Sequence, residues 1–481
     1  MSEYELLVKR TGLAGLSNFV VSLSPIILLP ILTKLLTIEE YGIWTLIVVT
    51  ASFVPVLVSL GLTSSLVRFL APVINKEEIR EGYYSVALAV VCASLVASLL
   101  IFLLEQLFAG LGSNYVVVVL LPLITFVASY NGIPQAYFRA FQQAKRYSFV
   151  LFLQACLYVI LVAAFVLLGF GLAGAALGYL IGLVVTAAAS TYYVVRDIGI
   201  ALPKLTEFRA YLKYGLPLMP ANVSNWALNV SDRYIITFFL GVAWVGYYSP
   251  GYQLGNMVSL WSVPFGLIAP TALYQYYEAK RMAEVKTVIS YSIKYFLAIA
   301  VPTAFLFSIL SKPILTILTT SDIAANGYLI TPFTAFSSLL YGVFAIIVTI
   351  LTFEKRTVII GTTWILGAAL NIGLNLVLVP RLGIIAAAMT TVVGYGFVFV
   401  VTAVYSVRQM KLDLDFGFIL KSVFASVVIS SLAFLWHVAG LLSILGLILV
   451  CAAVYTALLF VLKGFSTNEI DFFRAFLARS R

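Results

Sequence analysis

The chain has 481 residues, 62% of them hydrophobic and 10% charged, with a mean hydropathy of +1.08. A water-soluble domain is roughly half apolar and about a quarter charged, so this composition excludes an ordinary soluble enzyme and puts the surface in lipid. The formal charge of +10 invites a nucleic-acid reading, which the placement of the basic residues excludes below.

Apolar runs of about 20 residues, enough to cross about 30 Å of hydrocarbon, recur fourteen times along the chain. Their approximate spans are 11–36, 42–70, 83–105, 115–138, 148–169, 172–195, 210–240, 246–274, 290–311, 326–352, 358–379, 384–407, 418–438 and 441–463. The first, from Leu13 to Leu36, exceeds a signal-peptide core and lacks an A-x-A exit, so it is expected to stay as a membrane helix. Turn chemistry separates several runs: Gly110 to Asn114, Gly169 to Gly171, Pro380 to Gly383 and Gly440. Pro25, Pro55, Pro217, Pro220, Pro250 and Pro264 interrupt runs 1, 2, 7 and 8, where each removes a backbone hydrogen bond. Cys92, Cys156 and Cys451 lie far apart in apolar runs and read as free packing thiols. The single histidine, His437, has no second histidine to form a zinc pair, and no metal or other cofactor is expected.

Placing the N-terminus inside puts all but four of the 29 basic residues at the inner ends of the runs. The exceptions are Lys34, Arg233, Lys312 and Arg381. This is the positive-inside signature, and it accounts for the basic charge without nucleic acid. Both termini are expected to be cytoplasmic.

An internal repeat follows. GLAGAALGYLIG, Gly171 to Gly182, matches GIIAAAMTTVVG, Gly383 to Gly394, at Gly171, Ala175, Ala176 and Gly182. EEYGIW before run 2 has a counterpart in WVGYY before run 8. Small residues recur in any packed membrane protein; two matches in the same order favour a true repeat. The expected fold is therefore all-α and polytopic. It has about 14 transmembrane helices in two six-helix lobes related as parallel repeats, plus two C-terminal helices. The expected divisions are 1–209, 210–407 and 408–481.

Polar stripes mark the candidate site. In run 7, Asn222, Asn225, Asn229 and Asp232 recur at helical spacing, with Arg233 at the edge of that face. Asp232 lies about 12 Å from the outer helix end. Asp232 and Arg233 point about 100° apart, so they are expected not simply to neutralise each other. Run 4 carries Asn131, Gln135 and Arg139; run 11 carries Asn371 and Asn375; run 8 adds Gln253 and Asn256; run 1 adds Asn18. Any one stripe also fits hydrogen bonding between helices. Together they favour a hydrated chamber. Arg68 and Arg139, near inner ends, fit either snorkelling to headgroups or a cationic vestibule whose guanidinium forks suit phosphate. Lys34, near an outer end, fits an interfacial anchor or a weaker version of that role.

No P-loop, GxSxG, HExxH or dinucleotide fingerprint is present. Glu39 and Glu40 form an acidic pair in an external loop, a feature that a polytopic glycosyltransferase or polymerase uses. The longest external connection, Ser311 to Ala325, is short for such a site.

LLPILTKLLTIEEYGIW in runs 1 and 2, NVSDRYIITFFLGVAWVGYYS around run 7, and LNIGLNLVLVPRLGIIAAAM across runs 11 and 12 resemble the polysaccharide transporter family. That family comprises O-antigen and other lipid-linked oligosaccharide flippases. Its superfamily also holds multidrug and toxin extrusion antiporters and lipid II flippases. The resemblance covers essentially the whole chain. It implies two lobes around a cationic cavity, alternating access, and a polyprenyl-diphosphate-linked glycan moved from the cytoplasmic to the external leaflet of the cell membrane. It further implies membrane lipid as a partner, with Na⁺ or H⁺ for coupling and a glycan polymerase or glycosyltransferases nearby. By the same resemblance Arg68 is similar to lumen arginines that meet pyrophosphate, and Asp232 to the acidic position late in the seventh helix; Asp232, with Arg233 and Lys34, is the candidate coupling or gate site, and a structural anchor at the outer rim is the alternative for Asp232. This chain departs from strongly basic relatives in having few deep charges. A cation-coupled drug antiporter is the alternative within the superfamily; it expects acidic residues in the cavity, and the first lobe has almost none.

Overall fold

In the computed structural model, residues 3–108, 115–204, 208–436, 440–465 and 469 are described. The Gly110–Asn114 turn, His437 and the basic tail residues Arg474, Arg479 and Arg481 lie outside them. The described residues form α-helices, short 3₁₀ turns and one π turn, with no strand among them. Eleven stretches are long and apolar enough to cross a membrane, against the fourteen expected. One of them, Ala144–Ile198, holds two helices. The chain is a multi-pass membrane protein.

Contacts divide the chain into two compact units. The first comprises Met1–Ser249 with Val358–Thr390. It contains α1 (Glu3–Leu35), α2 (Ile38–Val58), α3 (Leu62–Leu70), α4 (Lys76–Phe108), α5 (Tyr115–Ala140), α6 (Ala144–Phe165), α7 (Gly171–Ile198), α8 (Phe208–Gly215) and α9 (Met219–Leu240). It takes in the first half of α10 (Val242–Asn256). Here α1 packs on α6, α6 on α7, and α5 meets α2, α4 and α7. Leu62, Leu66, Val86, Val90, Ile133 and Phe138 lie in one core cluster of this unit.

Breaks in these helices have local causes. The second expected run divides into α2 and α3 because Leu60 and Gly61 both adopt left-handed backbone, φ 48° and 71°. Gly61 lies against Gly215, and a Cβ on Gly61 would sit 2.2 Å from the Gly215 carbonyl oxygen. Only glycine fits both demands. The seventh run divides at the 3₁₀ turn Leu216–Leu218, where Pro217 and Pro220 withhold backbone donors. The breaks of α2–α3 and α8–α9 therefore touch. Between α6 and α7 a π turn, Val166–Phe170, carries left-handed Gly169.

The second unit comprises Pro250–Thr357 and Thr391–Arg481. It holds the rest of α10, then α11 (Val263–Glu278), α12 (Met282–Ile309), α13 (Ser311–Leu318), α14 (Ser321–Gly327) and α15 (Ile330–Phe353). After α16 (Thr357–Leu382), which belongs to the first unit, come α17 (Ile384–Gln409), α18 (Phe416–Leu435) and α19 (Leu441–Val461). α12 packs on α15 and α18, and α18 on α19. An apolar groove of about 620 Å³ runs between α12, α15 and α18, walled by Phe305, Pro332, Phe336, Leu339, Val427 and Phe434. The expected Ser311–Ala325 loop is helical, forming α13 and most of α14.

The two repeated sequences share a local form. Each begins at a left-handed glycine, Gly171 at φ 55° and Gly383 at φ 70°. Each then opens a helix whose paired alanines, Ala175 and Ala176, Ala387 and Ala388, are fully buried.

Candidate functional site

The stripe in the seventh run lies on α9, which has spanning length but is too polar to rank among the eleven apolar stretches. Its charged end is buried. Asp232 and Arg233 are 2% and 4% exposed, the most deeply buried ion pair among the described residues. The two side chains meet directly: Arg233 Nη1 donates to Asp232 Oδ1 at 2.6 Å. Adjacency was expected to keep them apart. The arginine side chain is long enough to fold back around the helix, and burial favours that because an unpaired charge in hydrocarbon costs several kcal/mol.

The pair is held on all sides. The Arg233 backbone N–H donates to Asp232 Oδ1 at 2.9 Å. Nη1 also donates to the Asn229 carbonyl at 2.8 Å. The hydroxyl of Tyr248, on α10, donates to Asp232 Oδ2. The Arg233 guanidinium lies over the Tyr248 ring, 5.2 Å from its centroid. Tyr248 itself is fully buried. Asn229 Nδ2 donates to Asn225 Oδ1 at 3.0 Å, which extends the network one turn toward the start of α9. Sequence reasoning missed Tyr248 as a partner. Its place was readable: α9 and α10 are separated by Gly241, φ 94°, and Asp232 and Tyr248 stand at similar distances on either side of it.

The adjoining face of α9 meets α2. Trp226 stacks on Phe53, centroids 3.9 Å apart. Its indole N–H donates to Ser52 Oγ at 3.0 Å. Tyr234 and Thr50 share a hydroxyl–hydroxyl bond of 2.6 Å. Asn222 and Ser52 are exposed, and Asn225 is half-buried. These aromatic and hydroxyl residues carry no charge and were invisible as a group, because their partners lie some 180 residues away.

The remaining candidates fall into separate neighbourhoods. Arg68 is exposed at the end of α3, its guanidinium 4.7 Å from the Tyr214 ring centroid on α8. On α5, Asn131 is buried and donates to the Leu183 carbonyl at 3.1 Å; Gln135 meets Gln154 at 3.4 Å; Arg139 is exposed. Asn371 and Asn375 are fully buried in α16, where Asn375 donates to Asn371 at 3.2 Å and Asn371 to Thr390 at 3.5 Å. Asn18 is half-buried on α1, and Lys34 is exposed near its end. Gln253 and Asn256 belong to the second unit, and the Asn256 carbonyl accepts from Ser259 at 2.7 Å. Thus Asn225, Asn229, Asp232 and Arg233 form one network, while the α5 and α16 amides tie helices together elsewhere.

Glu40 has a structural partner. Its carboxylate accepts from the Thr37 backbone N–H at 2.9 Å, and Thr37 caps the Glu40 N–H at 3.2 Å, a reciprocal cap that starts α2.

Residues 7–274 match the family described as polysaccharide biosynthesis protein, more than half of the chain. The chain belongs to that family. No curated protein matches it. Among solved structures, this family member is similar to the lipid II flippase MurJ in an inward closed conformation. The TM-score is 0.75 at 16% identity, over 94% of this chain and 98% of that one. It is also similar to the Vibrio cholerae MATE transporter VcmN, TM-score 0.61 at 14% identity, over 85% and 99% of the two chains. A superfamily transporter from Pyrococcus furiosus follows with TM-score 0.58 at 18% identity, over 84% and 95%. At these identities the likeness establishes the fold.

Proposed function

We propose that this polysaccharide biosynthesis family member is a flippase. It carries a polyprenyl-diphosphate-linked oligosaccharide from the cytoplasmic to the external leaflet of the cell membrane, by alternating access, for cell-surface polysaccharide assembly. The observation that carries this reading is the whole-length likeness to a lipid II flippase in a chain whose family makes polysaccharide. A glycan and a diphosphate cannot cross hydrocarbon unaided, since every lost water contact must be replaced. Exposed Arg68, braced on Tyr214, offers a guanidinium fork for the diphosphate. The amides and hydroxyls of α9 offer hydrogen bonds to sugar.

The proposed arrangement keeps two six-helix lobes, 1–209 and 210–407, with 408–481 appended and both termini cytoplasmic. The left-handed glycine and buried alanine pair at both repeat positions support it. A role as transporter rather than glycosyltransferase is supported by Glu40, whose carboxylate is occupied in capping α2. The cation-coupled antiporter reading draws on one observation, the buried Asp232 and its Tyr248 partner, which resemble a site for Na⁺ or H⁺. The lower TM-score to the MATE transporter ranks it second.

Reconstitution tests the proposal. Proteoliposomes loaded with polyprenyl-diphosphate glycans are expected to show protein-dependent redistribution of glycan between leaflets, read by a membrane-impermeant lectin or glycosidase. No redistribution across a panel of glycan lipids would overturn it.

A further inference from the structure

The network around Asp232 leaves unexplained the adjoining face of α9, which meets α2. On that face Phe53 and Trp226 stack at 3.9 Å with 24° between ring planes. Tyr234 stands 6.1 Å from Trp226. Ser52 and Thr50 hold the indole N–H and the phenol hydroxyl. Asn222 lies one turn before Trp226 on the same side of the helix.

This face is wrong for lipid. Ser52 and Asn222 are exposed, Tyr234 is 37% exposed and Trp226 is half-buried. The Ser52 hydroxyl donates to the Val49 carbonyl at 2.7 Å and accepts the indole N–H, but hydrocarbon cannot satisfy the exposed Asn222 amide, so the surface must be wetted. It is also wrong for an ion. Its aromatic, hydroxyl and amide groups carry no charge, and the guanidinium of Arg233, two turns along from Trp226, is engaged by Asp232. A flat aromatic surface ringed by hydroxyls and amides has one natural ligand class: a ring with an apolar C–H face and polar edges.

We propose that Trp226, backed by Phe53 and flanked by Ser52, Asn222 and Tyr234, is a saccharide platform. It takes a neutral pyranose ring of the transported glycan. The inference rests on the flippase reading and adds to it a residue that selects sugar. The C–H face of the pyranose lies on the indole, and its hydroxyls exchange hydrogen bonds with the amide and hydroxyl groups around it. Tyr214, which braces Arg68, lies at the end of α8, and Trp226 lies beyond the break, two turns into α9. Diphosphate at Arg68 and sugar at Trp226 are thus read at separate levels of one substrate.

The test compares two probes on the full chain in lipid nanodiscs by native mass spectrometry: undecaprenyl diphosphate, bare and carrying a neutral oligosaccharide. The wild-type chain is expected to prefer the glycosylated probe. Trp226→Leu is expected to weaken the glycosylated probe about tenfold and leave the bare one unchanged, while Trp226→Phe, which keeps a ring, stays within about threefold of wild type. Retained binding of the bare probe certifies that each variant is folded. Equal loss of both probes in Trp226→Leu, or loss of neither, overturns the platform while the flippase reading stands. A wild-type chain that binds neither probe overturns both.

Discussion

The two faces of α9 solve opposite problems with the same helix. The face toward α10 buries a full ion pair and satisfies it with Tyr248, the Asn229 carbonyl and a backbone N–H. The face toward α2 carries no charge and leaves Ser52, Asn222 and Tyr234 exposed. A buried charge network is closed to a ligand from outside, so it holds the helix or switches as a unit. An exposed neutral face has hydrogen-bonding capacity to offer a ligand. Polarity in a membrane helix therefore has two meanings, and burial separates them.

The largest effect is expected from breaking the buried face. Asp232→Ala leaves Arg233 without its carboxylate and should cost about 3–5 kcal/mol, seen as a fall in the thermal unfolding midpoint of purified protein. Replacing both with leucine should recover most of that loss. Transport by the double variant then decides the role of the pair: retained transport makes it an anchor, and a folded but inactive protein makes it a gate or coupling element. A stable Asp232→Ala would erase the contrast between the faces.

Tyr248→Phe is a milder probe of the same network. It removes one hydroxyl donor to Asp232 and should cost about 1–3 kcal/mol by thermal unfolding, as for a hydrogen bond to a charged group. At the contact of α9 with α2, Thr50→Val keeps side-chain shape and removes the bond to Tyr234. Its stability should stay within about 1 kcal/mol of wild type, while glycan-lipid redistribution in proteoliposomes slows. A stability loss equal to that of Tyr248→Phe would show both faces to be structural.

The smallest effect extends the comparison to an exposed carboxylate. Asp415 caps α18, accepting from the Phe418 N–H at 2.8 Å, and lies 3.2 Å from Lys294. Partial burial opposes its ionisation, but the Phe418 N–H and the Lys294 ammonium outweigh that and hold its carboxyl below the usual value. A depressed folded pKa gives stability above the unfolded value that is lost as pH falls through the folded one. Asp415→Asn should therefore be slightly less stable than wild type at neutral pH and converge with it below about pH 4, followed by thermal unfolding across pH.

Much of the fold was legible because its cause is local. Hydrocarbon thickness sets the length of apolar runs, and eleven stretches of that length are found among the described residues. The family resemblance rested on whole segments, and the family match and fold likeness agree with it. Local too is the left-handed glycine that opens each repeat helix. Less legible were the breaks. Leu60 and Gly61 divide one run because Gly215 presses against the turn from 154 residues away, a contact absent from any local pattern.

By itself the sequence determined a polytopic helical membrane protein, its orientation signal and the polar positions of α9, since composition and periodicity carry those directly. Tertiary structure alone decided what each polar residue does. It folded Arg233 back onto Asp232, brought Tyr248 to close the pair, buried Asn371 and Asn375 between helices, and set Trp226 on Phe53. The reason is physical. A polar group in a membrane must find a partner or water, and only the three-dimensional packing says which is within reach.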